Sequence, residues 1–210
     1  MTETETHATT GDSYAALRTH AIESILIERG YLTEEAVDVV VQAYENDIGP
    51  LAGARVIARA WVDPAFKSRL LEDATEAAKE LGVGGFVAEH VRALENTDEV
   101  HNVVVCTLCS CYPWGLLGLP PTWYKSPEYR ARTVREPRAV LREFGVEVPA
   151  DTEIKVWDSS SDLRYIVVPQ QPAGTGHLSE SELAGLVTRE SMIGTGLPSL
   201  PGPAGPKGAA

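Results

Sequence analysis

Val105-Cys106-Thr107-Leu108-Cys109-Ser110-Cys111-Tyr112-Pro113-Trp114 is the stretch on which the reading of this chain turns. It follows an apolar run, Val100 to Val105, that predicts a short strand leading straight into Cys106. Downstream, Pro113, Gly115, Gly118, Pro120 and Pro121 predict a rigid loop region. The chain has three cysteines, and all three lie in this window. The C-x-x-C-x-C spacing sets three soft sulfur donors on one tight loop, which suits a single transition metal better than a set of disulfides. An odd cysteine count points the same way.

Working outward, 210 residues suffice for one sizeable domain with an appendage, or for two small ones. The net charge of -12 argues against nucleic acid and anionic membrane surfaces, because phosphate neutralisation needs clustered Lys and Arg. No run approaches the roughly 18 apolar residues of a membrane span. Met1 to Asp12 has neither the basic start nor the apolar stretch of a secretory signal. The expectation is a cytoplasmic protein with reduced thiols.

The pattern predicts an α+β chain: an N-terminal helical arm, then a globular domain carrying the cysteine loop. Residues 1–12 are expected to be disordered, residues 13–90 to form the arm, which either packs on a partner subunit or folds back on its own domain, residues 91–197 to form the metal-binding catalytic domain, and the Pro- and Gly-rich residues 198–210 to be a disordered tail. In the arm, Leu17, Ala21, Ile25 and Leu26 share one helical face ending at Gly30. Thr33 can cap a second helix. Asp63-Pro64 starts a helix expected to run to about Leu81 and stop at Gly82. Val91 to Glu95 and Val100 to Val105 read as strands joined by a turn at Asn96–Asp98. Ile154 to Trp157 and Leu163 to Val168 read as strands joined by a hairpin-like turn over Asp158–Asp162. Ser126-Pro127 and Glu136-Pro137 start helices, the second ending at Gly145, and Ser179 with Glu182 forms a capping box for the last helix.

The loop chemistry is specific. Cys109 and Cys111 are two residues apart, with the backbone nitrogens of Ser110 and Cys111 between their thiolates. A strongly Lewis-acidic ion that displaces those amide protons could take sulfur, nitrogen, nitrogen and sulfur in one plane. Cys106 could bind from below, leaving a sixth position open, the usual mark of a catalytic metal. A structural zinc site would need a fourth ligand such as His101, itself read as a surface residue. An iron–sulfur cluster needs four thiolates in most cases.

The loop, followed by Gly118-Leu119-Pro120-Pro121 and Trp123-Tyr124, closely resembles the alpha subunit of nitrile hydratase. Tyr44-Glu45-Asn46, Ile48-Gly49-Pro50, Ala60-Trp61-Val62-Asp63-Pro64, Tyr129-Arg130-Ala131-Arg132, Trp157-Asp158-Ser159-Ser160 and Leu163-Arg164-Tyr165 extend the likeness over about residues 13 to 195. The resemblance implies a layered α/β arrangement of the globular domain, and hydration of a small nitrile to an amide at low-spin cobalt(III), with iron(III) as the alternative. The metal would be held by the sulfurs of Cys106, Cys109 and Cys111 and the backbone nitrogens of Ser110 and Cys111. It further implies a sulfinic acid at Cys109 and a sulfenic acid at Cys111. Thr107 and Tyr112 fit the cobalt pattern.

Among catalytic positions the resemblance points to Cys111, whose sulfenate oxygen is a candidate nucleophile or base, and to Ser110, Trp114 lining the pocket, and Arg164 supporting it. A beta subunit, an alpha/beta heterodimer doubled to a heterotetramer, and a metallochaperone or activator are implied as partners, with no nucleic acid and no membrane. Two departures stand out: Gly115-Leu116 where many members have Pro-Val, and Val87 near a position where many have Gln. The alternatives are the metal-bearing gamma subunit of thiocyanate hydrolase, whose arginine at the Trp114 position suits an anionic substrate, and a non-catalytic metal-binding module.

Overall fold

The computed structural model describes residues 14–46, 49–83 and 90–199. The disorder expected for residues 1–12, the Val87 departure and nearly all of the Pro- and Gly-rich tail lie outside them. The chain divides into two compact units, Met1–Ala43 and Tyr44–Ala210. The boundary therefore falls well before the residue 90/91 boundary read from the sequence.

In the first unit, α1 (Tyr14–Glu28) runs up to Gly30, which takes a left-handed φ of 72°. The Thr33 hydroxyl then accepts the Ala36 N–H at 3.2 Å and opens α2 (Glu34–Asn46). Leu17, Ile22, Ile25, Val39 and Val40 are about half exposed or more.

The second unit is built on two short parallel sheets. β1 (Val91–Glu95) pairs with β4 (Arg164–Val168), and β2 (Val100–Val105) pairs with β3 (Glu153–Asp158). All four strands read from the sequence exist, but the hairpin expected between β3 and β4 does not form, and the turn after β1 does not pair it with β2. The link between β1 and β2 is turned aside by Asn96. Its backbone N–H continues the β1 ladder onto Val168, while its side chain accepts the Asn102 N–H at 2.7 Å. Parallel pairing then needs long crossovers. The chain from β2 to β3 supplies one, through α6 (Trp114–Leu117), a 3-10 turn (Thr122–Lys125), α7 (Pro127–Arg135) and α8 (Pro137–Glu143).

The helix expected from Asp63 to Leu81 is two helices, α4 (Pro64–Glu72) and α5 (Ala74–Glu80). Asp63 caps the first by accepting the Ala65 and Phe66 N–H groups. Asp73, extended at φ -145°, caps the second through Thr75 and Glu76. α3 (Pro50–Val62) contributes Val56 and Ile57, α4 contributes Phe66 and Leu70, and α5 contributes Ala77 to the same core as Val91, Val104 and Ile166. The Ser179–Glu182 capping box opens α9 (Glu180–Ala184) as read. It is not the last helix: Thr188 and Ser191 form a second box opening α10 (Arg189–Ile193).

His101 is buried in β2, not on the surface. Its Nε2 faces the Gly194 carbonyl at 2.8 Å, which can only accept, so Nε2 carries the proton. Its Nδ1 is then left to accept from the Asn96 amide at 3.4 Å. Inward-facing strand positions with such partners hold polar rings without cost in unpaired groups.

Candidate metal centre

β2 delivers Cys106 to the core, where it is fully buried, and the chain then turns outward. The three Sγ atoms lie within 4.8 Å of one another, with 3.4 Å from Cys106 to Cys109 and 2.9 Å from Cys109 to Cys111. Among the described residues the cluster includes no histidine, so His101 supplies no fourth zinc ligand. The turn is tight because Ser110 sits at φ 105°, a left-handed value that no other described non-glycine residue adopts. Such a conformation costs on the order of 1–3 kcal/mol and persists only where the surroundings impose it.

Those surroundings come from three elements. At the end of β3, opposite Val105 in the register, Asp158 accepts the Thr107 N–H at 2.9 Å and the Thr107 hydroxyl at 2.5 Å. From α7, Arg130 donates to the Thr107 and Leu108 carbonyls at 3.2 and 3.3 Å. The Tyr124 hydroxyl, at the bottom of the core, donates to the Cys111 carbonyl at 3.0 Å. None of these three residues is a candidate in the sequence reading. Only the runs Trp123-Tyr124 and Tyr129-Arg130, quoted there for the resemblance, and Asp158 in its own run, could have signalled them.

The electrostatics are uneven. Burial raises the Cys106 thiol, but the N–H groups of Cys109, Ser110 and Cys111 outweigh it and bring the group down to about 7. Two of those donors stand at 3.3 and 3.1 Å. Cys111 is pushed up to about 12 by burial, by its contact with Cys109 and by the charges of its two neighbours. Cys106 thus takes a negative charge easily, while Cys111 resists one. A cation would be required to ionise all three thiols together, since metal binding displaces thiol protons. Three convergent soft donors with amide nitrogens between them fit a transition-metal ion.

Beside the thiols opens a cleft of about 460 Å³. Cys109, Ser110, Cys111, Trp114 and Arg164 all line it, so the fold brings together every sequence candidate except the buried Cys106, which lies beneath. Arg164 arrives from the start of β4, and Trp114 from the first turn of α6. Gly115 and Leu116, where the chain departs from the common Pro-Val, are buried in α6. Lys125 also lines the cleft and is absent from the sequence candidates.

Comparison with known proteins agrees with this geometry. The family description "Nitrile hydratase, alpha chain" matches residues 13–196. The cobalt-containing nitrile hydratase subunit alpha of Pseudonocardia thermophila is 63% identical over 178 residues, 84% of this chain and 87% of the relative. The thiocyanate hydrolase subunit gamma of Thiobacillus thioparus is 42% identical over 189 residues, 85% of this chain and 77% of the relative. Among solved structures, a double mutant of the iron-type nitrile hydratase from Comamonas testosteroni Ni1 superposes with a TM-score of 0.82 at 40% identity, covering 95% of this chain and all of the other.

Proposed function

The chain belongs to the family of nitrile hydratase alpha chains, and from that membership we propose how its own residues serve the hydration of a nitrile to an amide. Its cofactor is cobalt, as in the relative at 63% identity. The three Sγ atoms converging beneath a Trp114-lined cleft carry this reading.

Cys106, Cys109 and Cys111 hold the cobalt through sulfur, and Ser110 and Cys111 through their backbone nitrogens. The bound metal supplies Lewis acidity at the cleft. Trp114 forms an apolar wall that receives the nitrile's carbon chain and excludes bulk water. Cys109 is oxidised to a sulfinic acid and Cys111 to a sulfenic acid. The Cys111 oxygen would take a proton from the water as its oxygen bonds to the cyano carbon and pass that proton to the nitrile nitrogen; the water's second proton would follow from oxygen to nitrogen as the imidic acid tautomerises to the amide. The Ser110 hydroxyl and the Arg164 guanidinium, both lining the cleft, serve as supporting groups beside the metal ligands, Arg164 through the beta subunit.

An alpha subunit implies a beta partner. The half-exposed apolar residues Leu17, Ile22 and Ile25 of α1 support the helical N-terminal segment as part of that interface. A heterotetramer, a metallochaperone and a cytoplasmic location complete the proposal. No helix among the described residues is long and apolar enough to cross a membrane.

The test is Cys111→Ala in the co-expressed alpha/beta complex. Cobalt content and amide formation are both expected to be lost, and peptide mass of the unsubstituted loop is expected to show one added oxygen on Cys111 and two on Cys109. Retained turnover by the variant, or zinc with three unmodified cysteines in the parent, would overturn the reading. The chain produced without its partner is expected to be poorly active or metal-free.

A further inference from the structure

The cleft over the thiols carries a charge opposite to that of the chain. The sequence holds 30 acidic against 18 basic residues. Yet none of the nine residues lining the cleft is acidic, and two of them, Lys125 and Arg164, are cationic. A concave site lined by one sign of charge concentrates ligands of the other sign. Arg164 is half-buried at the start of β4. Lys125 is exposed, and among the described residues its ammonium has no carboxylate partner and no hydrogen bond.

The backbone of Lys125 is nonetheless fixed to the cysteine loop. Tyr124, just before it, is fully buried and bonded to the Cys111 carbonyl. Just after it, Ser126 caps α7 by accepting the Tyr129 N–H at 3.1 Å. The Tyr129 hydroxyl reaches the Val104 carbonyl at 2.7 Å, and Arg130 reaches those of Thr107 and Leu108. Residues 124–130 therefore grip the chain before, within and after the cysteines. Lys125 is the one residue of that strap that lines the cleft. A rigid base under a flexible four-carbon stem lets one ammonium sweep the cleft mouth at a set distance from the thiols.

We propose that Lys125 is a specificity-determining residue, which binds the carboxylate of nitriles that carry an anionic group at the end distal to the cyano carbon. The inference rests on the hydration reading given above and deepens it to a substrate class. In the loaded enzyme the metal offsets the charge of its donors only in part, because two deprotonated amide nitrogens share it with the three sulfurs, so the ammonium of Lys125 on the 3-10 turn, and not the metal claw, is the group that meets the substrate's far end. Trp114 takes the apolar linker between the two ends. A charge-assisted hydrogen bond is stronger than a neutral one even at an exposed ammonium, and an amide in place of the carboxylate forfeits that difference.

The experiment uses the cobalt-loaded alpha/beta enzyme with two probes, cyanobutyrate and its neutral counterpart cyanobutyramide. K125M is expected to raise KM for the carboxylate about threefold more than for the amide, the size of an exposed ion pair, and K125R to restore the preference. High salt, where the screening length falls to about 3 Å, is expected to shrink the preference in the parent enzyme. An equal KM factor for both probes would overturn the proposal and mark Lys125 as a structural or partner contact. A preference indifferent to salt would overturn it as well. If the parent enzyme hydrates neither probe nor any neutral nitrile, the hydration reading itself fails. Hydration of neutral nitriles without a Lys125-dependent preference sinks this inference alone.

Discussion

Arg130 holds the Leu108 carbonyl at 3.3 Å, and the N–H of that same peptide unit, on Cys109, points at Cys106 Sγ at 3.3 Å. One peptide plane is thus gripped by a guanidinium on its oxygen side and by a thiol on its nitrogen side. The hydrogen bond to oxygen polarises the amide and strengthens its N–H as a donor. This N–H is among those that bring Cys106 down to about 7. Replacing the guanidinium releases the plane. Arg130→Met is expected to lower cobalt retention about 10–100-fold, the range for groups that orient metal ligands. Elemental analysis and the sulfur-to-metal absorption bands of the purified complex check this. Full cobalt content with unshifted bands would refute it.

Tyr124 ties the far side of the loop to the core. Its ring meets Tyr112 edge-to-face at 5.0 Å while its hydroxyl bonds the Cys111 carbonyl. Tyr124→Phe keeps the ring and removes only that hydrogen bond, worth about 1 kcal/mol net. The expected fall in Tm is about 2–4 °C for a chain of this size. An unchanged Tm in scanning calorimetry would show that the hydroxyl contributes nothing.

Ser110 should tolerate glycine better than any β-branched residue. At φ 105° a Cβ is disfavoured, and a branched one more so. Ser110→Val is expected to cost on the order of 1–3 kcal/mol, whereas Ser110→Gly should leave thermal stability level or raised. Denaturant midpoints of the metal-free protein make the comparison. A glycine variant less stable than the valine variant contradicts the strain argument.

His101 predicts acid sensitivity with a definite sign. Burial, and more weakly the Arg138 charge, hold it below its ordinary 6.5, although its bond to the Gly194 carbonyl acts in the other direction. Below about pH 6.5 the unfolded chain takes up this proton while the folded chain resists. The unfolded state then binds more protons, so stability is present above that pH and is lost as the pH falls through it. Protonation would also turn Nδ1 into a donor facing the Asn96 amide, which is itself placed as a donor. Urea midpoints between about pH 7.5 and 5.5 should fall more steeply for the parent than for His101→Gln, which has no proton to gain. Parallel profiles would remove His101 from the account.

The legible part of this fold was local. Proline at a first helical position, as at Pro64, Pro127 and Pro137, starts a helix wherever it sits. Asp63, Ser126 and Ser179 carry their cap bonds within three residues. Asp73 carried the same signal and went unread because the apolar stripe runs past it. Strand partners were not legible. β1 and β2 are neighbours in sequence, but each takes a distant parallel partner, β2 with burial on both faces, and no short turn records that choice.

The same division runs through the site. Residue type and spacing alone determined which three sulfurs converge, because C-x-x-C-x-C is too short a stretch to separate its donors. Only the tertiary structure decided what surrounds them. Asp158, Arg130, Tyr124 and Lys125 come from segments up to fifty-one positions along the chain and reach the loop through a parallel strand pair and one crossover. Their roles depend on distances that exist only once the backbone is packed, while the chelating loop is close to complete in six consecutive residues.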